Sequence, residues 1–280
     1  MESMTNAEYR KKEGISSSDL KLMMKSLALW KYCHDNPEEN DSEALQFGRA
    51  YHKLMLEPDD FDKEFIVSPK FDRRTKEGKA AAEEFAIKAE GKEIITEETF
   101  QKLLEMQIAL YNTPFVKLLI KGEHEKSFFW KDKETGIPCK CRPDSFGEIK
   151  GQYACIDLKT TTNAETSAFL RDAMKFGYDI QAYHYCQGLE DHYKKPFKFI
   201  FIAQEKTAPY LVNVLEADEY FMQNGKVLQT SLLEKYKKAL ETGEYEGYMT
   251  KDGGINSLSV PEWIKNSLEV EIESEEGDFE

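Results

Sequence analysis

A chain of 280 residues, 40% hydrophobic and 32% charged, can bury one large core or two modest ones, and it has no apolar run near the ~18–20 residues of a membrane helix. Five scattered cysteines (Cys33, Cys139, Cys141, Cys155, Cys186) speak against a disulfide framework, and Cys139-Lys140-Cys141 is too tight for a zinc knuckle. The net charge of −14 argues against a broadly basic nucleic-acid surface, but half of it sits in the acidic stretch 269–280, which reads as a solvated tail, so a local DNA site is not excluded.

The opening residues, MESMTNAEYRKKEG, lack the apolar region of a secretory signal, which makes a cytoplasmic location the expectation. Serines 16 to 18 can cap a helix carrying Leu20, Leu22, Met23 and Leu27 and running to about Tyr32. An acidic loop with Pro37 follows, and then a helix over 44–56 ended by Pro58. His52 lies near the apolar stripe of that helix, where a histidine serves either as a packed boundary residue or as a neutral metal ligand. Residues 61–79 lack periodicity and gather Lys70, Arg73, Arg74, Lys76 and Lys79. They form either a solvated loop or a phosphate-contacting arm, with Arg73 and Arg74 its contact residues. Helices are predicted over 77–89 and 96–111, with one further turn over 115–120.

The pattern changes at Glu123. EKSFFWKD (125–132) and 137–142 read as strands around the turn 133–136. A polar turn over 147–151 then leads to a third strand, 153–159, and the three form an antiparallel meander. Alternation puts Asp157 and Lys159 on one face of the third strand with Leu158 buried behind, and Asp144 can reach the same end. Glu125 opens the first strand, either as a solvent-exposed glutamate or as one more carboxylate of the group. Two carboxylates and a lysine at a strand end suit metal-assisted phosphodiester hydrolysis; in isolation the same residues are also an ordinary charged hairpin. Helices follow over 164–175 and 178–193, the second presenting Gln181 and Tyr185 on one face. A strand pair (197–203 and 210–215), a long helix over 217–241 and a short helix over 261–268 complete the chain.

Asp144, Asp157-Leu158-Lys159 and Gln181-x-x-x-Tyr185, together with His52 upstream, resemble the PD-(D/E)XK nuclease superfamily, and Pro143-Asp144 supplies the proline-acid pair. Within its RecB-like branch the stretches ISSSDLKLMMKS, FGRAYHKLMLEP, FFWKDKETGIPCKCRPD, IDLKTTTNA and YDIQAYHY are most similar to the exonuclease VIII (RecE-type) nucleases of phages and prophages. The resemblance covers roughly 14–205 and implies an α/β (α+β) restriction-endonuclease-like core, a mixed sheet flanked by helices, with a helical N-terminal elaboration. The expected organisation is one nuclease domain over 1–268: a mainly helical portion at 14–122, a catalytic core at 123–216 and C-terminal helices at 217–268. The resemblance further implies His52, Asp144, Asp157 and the Leu158 carbonyl as ligands of Mg²⁺, with Mn²⁺ as substitute. Lys159 is the implied catalytic lysine, and Gln181 and Tyr185 contact DNA or orient the catalytic groups. The implied activity is 5′→3′ digestion of one strand of linear double-stranded DNA, leaving 3′ tails for a single-strand annealing protein or recombinase. A ring-shaped homo-oligomer, a phage or prophage origin in a bacterial host and no membrane association go with it. The alternatives are an endonuclease or 3′→5′ nuclease of the same fold, or a catalytically idle DNA-binding recombination scaffold.

Overall fold

The computed structural model describes residues 4–37, 42–248, 254–262 and 264–266. The chain divides into two units, 1–245 and 246–280; the sheets and the helices that flank them lie in the first, and the acidic stretch 269–280 lies outside the described residues. In chain order the first unit runs α1 (Asn6–Lys11), α2 (Ser17–Lys25), α3 (Leu27–Asp35), α4 (Glu43–Leu56), α5 (Phe61–Glu64), β1 (Phe65–Ser68) and α6 (Lys76–Lys88). Next come β2 (Glu93–Thr96), α7 (Glu97–Asn112), α8 (Val116–Leu119), β3 (Glu123–His124), β4 (Phe128–Lys131), β5 (Pro138–Cys141), β6 (Ser145–Ile149) and β7 (Gln152–Thr161). The last elements are α9 (Thr166–Phe176), α10 (Tyr178–Tyr193), β8 (Phe197–Glu205), β9 (Val212–Glu216) and α11 (Glu219–Thr242).

The helix expected to run unbroken to Tyr32 is two helices. Ser26 adopts extended backbone between them, and its Oγ accepts the Leu29 N–H at 2.9 Å, so the hydroxyl starts a new helix rather than continuing the old one. At the start of α2, Ser16 and Asp19 form a reciprocal capping box, and Asp19 Oδ1 also accepts the Trp30 indole N–H at 2.9 Å. The stretch read as a plain connection contains β1, which pairs in parallel with β2.

The central sheet is mixed, in the order β3-β6-β7-β8-β9, with only β7 and β8 parallel. This differs from the expected three-strand meander. β4 and β5 pair with each other as a separate hairpin, and the neighbour of β7 is β6, which occupies the start of the stretch read as a turn. Only Lys150 and Gly151, both at positive φ, make that turn. Polar and glycine residues misread as loop are tolerated in β6 because its pairing with β7 satisfies their backbone groups.

Alternation along β7 sends Cys155 into one core with Phe199, Phe201, α2, α3, α10 and α11, and Ala154, Ile156 and Leu158 into a second core with α4, α7 and α8. Leu158 is fully buried, worth about 1.5–3 kcal/mol for a side chain of its kind. α4 is pinned to the sheet by the Tyr51 hydroxyl, which donates to Gln204 Oε1 at 2.7 Å, while Gln204 Nε2 donates to the Met106 carbonyl of α7 at 2.8 Å. That clamp fixes the next residue of α4, His52, beside Leu158 of β7.

Candidate active site

The sheet brings together groups far apart in sequence at the point where β7 runs past the start of β6 while still paired with β8. Asp144 immediately precedes β6, and its Oδ2 accepts the Leu158 N–H at 2.7 Å. His52 faces the same spot, with Nε2 2.9 Å from the Leu158 carbonyl and Nδ1 3.7 Å from Asp144 Oδ1. Asp157 is 1% exposed; its Oδ1 accepts Gln181 Nε2–H at 2.5 Å. Lys159 Nζ stands 2.6 Å from Asp157 Oδ2, a buried ion pair. The strand alternation read from D-x-K is thus realised: both side chains lie on the α10 side.

Electrostatics follow from this crowding. Burial raises the Asp144 carboxyl pKa, His52 pulls it back and the nearby Asp157 carboxylate adds to the rise. For Lys159 burial pulls downward, but Asp157 and Asp144 outweigh it, so the pKa is raised and the group is an ammonium.

Glu125, for which a solvent-exposed position was one of two readings, joins this group. It is half-buried, and its carboxylate lies in a cluster with His52 and Asp144 whose ligand atoms are all within 4.8 Å of one another. Its backbone is left-handed (φ 51°), a conformation that costs a non-glycine residue about 1 kcal/mol or more. Arg142 Nε donates to Glu125 Oε2 at 2.6 Å, and Arg142 Nη1 reaches the Met4 carbonyl at 2.8 Å. Burial and the Asp144 charge raise the Glu125 pKa against the pull of Arg142.

Hard oxygen donors and one imidazole fit a divalent cation of the Mg²⁺ or Mn²⁺ class. One ligand atom each from His52, Glu125 and Asp144, all within 4.8 Å of one another, can converge on one such ion. Buried Asp157 Oδ2, paired with Lys159, has lone pairs left over and is a further oxygen ligand candidate.

Not every sequence expectation converges here. Tyr185, one turn beyond Gln181, packs its ring 6.3 Å from that of Phe199; burial pushes its pKa far up, and the nearby Asp157 and Asp144 charges add to the rise. Arg73 and Arg74 occupy an exposed turn before α6, with no ion pair among the described residues and no contact to the site. Conversely, Lys21 and Tyr178 do reach the site and were not read from sequence. A lysine on an amphipathic helix and an aromatic after Gly177 carry no distinguishing pattern.

The family described as "PDDEXK-like domain of unknown function (DUF3799)" matches residues 16–250, most of the chain. The chain belongs to this family. As a PDDEXK-like domain it places its two acids and lysine on the central hairpin and adds His52 from a helix. A crystal structure of a candidate exonuclease from Eubacterium rectale superposes with a TM-score of 0.62 at 16% identity, covering 93% of this chain and 97% of that one, a likeness of fold. The structure of SSO0001 aligns at 12% identity over 69% of this chain and 87% of its own, with a TM-score of 0.30. No curated protein matches the sequence.

Proposed function

We propose that this PDDEXK-like domain is a metal-dependent exodeoxyribonuclease that digests one strand of linear double-stranded DNA, 5′→3′, with Mg²⁺ as the working ion. The observation that carries the reading is the buried Asp157–Lys159 pair beside Asp144 and His52 in a chain of this family. The resemblance to exonuclease VIII-type nucleases favours the polarity, a 3′ tail handed to an annealing protein or recombinase, a ring-shaped homo-oligomer and a phage or prophage origin.

His52, Glu125, Asp144, Asp157 and the Leu158 carbonyl are the residues that would hold the ion. When bound, a divalent cation supplies Lewis-acid charge that makes water a better nucleophile and neutralises the phosphate. Lys159, an ammonium, donates to the attacking water or to a non-bridging phosphate oxygen and stabilises the charge that develops there. Gln181 anchors Asp157 through Oδ1 and so keeps Oδ2 turned to Lys159. Asp144 is immobilised by the Leu158 N–H, which leaves Oδ1 facing His52.

The test is end-labelled linear duplex, with and without a 5′-phosphate, alongside a covalently closed circle, each incubated with Mg²⁺ or EDTA. Release of label from the 5′ end of linear DNA only, and only with Mg²⁺, is the expected result. Cutting of the circle would identify an endonuclease instead, label loss from 3′ ends the opposite polarity, and inertness of every substrate a binding scaffold.

A further inference from the structure

Lys21 has no part in the ligand set, yet its ammonium lies inside the site. It projects from α2, and its stem passes the α9–α10 corner, where an added Cβ on Gly177 would sit 3.4 Å from Lys21 Cγ. Nζ donates to Gln181 Oε1 at 2.7 Å, the same amide whose nitrogen holds Asp157. An ammonium on one side and a carboxylate on the other leave the Gln181 amide one orientation. Lys21 and Lys159 share the Tyr178 ring, at 5.1 Å and 4.9 Å from its centroid.

The charge balance around Lys21 is incomplete. Although the chain carries 52 acidic residues, Lys21 has no carboxylate at ion-pair distance among the described residues, and Lys159 is a second cation beside it. Burial, then Lys159, hold its pKa down to about 7, with Asp157 and Asp179 pulling the other way. A half-buried ammonium with one neutral acceptor is costly unless something else supplies negative charge. In a site facing a nucleic-acid strand, that charge is a phosphate.

We infer that Lys21 is a substrate-binding residue whose ammonium contacts a phosphodiester oxygen of the bound strand on the Asp157–Gln181 side of the site. This rests on the nuclease reading and adds to it a residue that makes no contact with the His52–Glu125–Asp144 cluster. Lys21 then serves two partners: it holds Gln181 in the free protein and pairs with the phosphate in the complex.

Binding of a short blunt 5′-phosphorylated duplex, in EDTA to prevent cleavage, is measured against KCl concentration for wild type, Lys21→Met, Lys21→Gln and Lys21→Arg. Loss of one phosphate contact lowers the magnitude of the slope of log affinity against log salt by about 0.9. Both neutral variants should show that loss, bind about 10-fold more weakly, and in Mg²⁺ raise KM more than they lower kcat, whereas arginine should restore the slope. Lys21→Met removes an unpaired charge but also the donor to Gln181 Oε1, so its melting temperature is measured beside its affinity. Should it fold poorly, Lys21→Gln, which keeps a donor for Gln181 without the charge, carries the comparison. An unchanged slope in a folded neutral variant of a wild type that cleaves DNA overturns the Lys21 assignment alone. A wild type that neither binds nor cleaves duplex overturns it together with the nuclease reading.

Discussion

Lys159 and Glu125 make different demands on the same cluster. Lys159 is held as an ammonium by Asp157 and Asp144, so its contribution is a proton donated and a charge supplied at the reacting phosphate. Lys159→Ala should therefore lower kcat by about 10²–10³-fold, the scale of losing one preorganised donor, with duplex affinity changed only a few-fold. A variant that retains full single-turnover rate would remove Lys159 from the chemistry. Glu125 spends backbone strain and an arginine partner to sit beside His52 and Asp144. Glu125→Gln should raise the Mg²⁺ concentration needed for half-maximal activity about 10–100-fold, read from a metal titration of initial rates. An unshifted midpoint would leave Glu125 as a structural partner of Arg142 only.

At the scale of elements, the site depends on how closely α10 can approach its neighbours. α11 crosses α10 at Gly225, where an added Cβ would lie 2.1 Å from the Asp179 carbonyl oxygen, a contact with backbone that no rotamer relieves. Gly225→Ala forces the helices apart at the turn carrying Gln181. It should cost about 1–3 kcal/mol, visible as a lower denaturation midpoint, with activity falling as Gln181 moves off Asp157. Gly48 in α4 is the opposite case, since an added Cβ there meets nothing within 4 Å. Gly48→Ala should stabilise the protein by about 0.5–1 kcal/mol in the same denaturation experiment, and a loss of stability would show that the α4 face is not open.

At the scale of the whole molecule, the β4–β5 hairpin belongs to no larger sheet and is held by buried polar groups. Trp130 Nε1–H and Gln229 Nε2–H both donate to Gln187 Oε1, Gln187 Nε2–H donates to Asp132 Oδ2, and His184 bridges Gln229 Oε1 and the Lys140 carbonyl. Burial pushes the His184 pKa down despite these two acceptors. In acid the unfolded chain accordingly takes up a proton that the folded ring refuses, and stability is lost as pH falls below about 6.5, by up to ~1.4 kcal/mol per pH unit. The raised carboxyls of Asp144 and Glu125 act in the opposite sense, so the effect is isolated by comparison with His184→Gln. Urea denaturation from neutral to mildly acidic pH should show a steeper acid loss in wild type than in the variant. Equal slopes would mean that His184 is free to protonate in the folded state.

Local order is legible in the sequence because it is set by near neighbours. The 3.6-residue pattern locates α4, α7 and α10, the β-branched and aromatic run locates β8, and the two-residue alternation of β7 puts Asp157 and Lys159 on one face. Partnership between segments is not legible in the same way. A strand's sequence states which face is apolar but not which strand lies beside it, so β6, interrupted by Gly147 and Glu148, passes for a turn and the hairpin for part of the main sheet. The family resemblance names His52, Asp144, Asp157 and Lys159, but Glu125 and Lys21 enter the site through contacts no local pattern encodes. Lys21 and Gln181 are 160 residues apart, and Glu125 turns inward through a left-handed backbone that only the surrounding packing sustains. The sequence by itself determined most of the helices, the strongly patterned strands β7 and β8, and the spacing of acids and lysine along the chain. Tertiary structure decided which charges are buried together, because desolvation and Coulomb coupling depend on distance in space rather than along the chain.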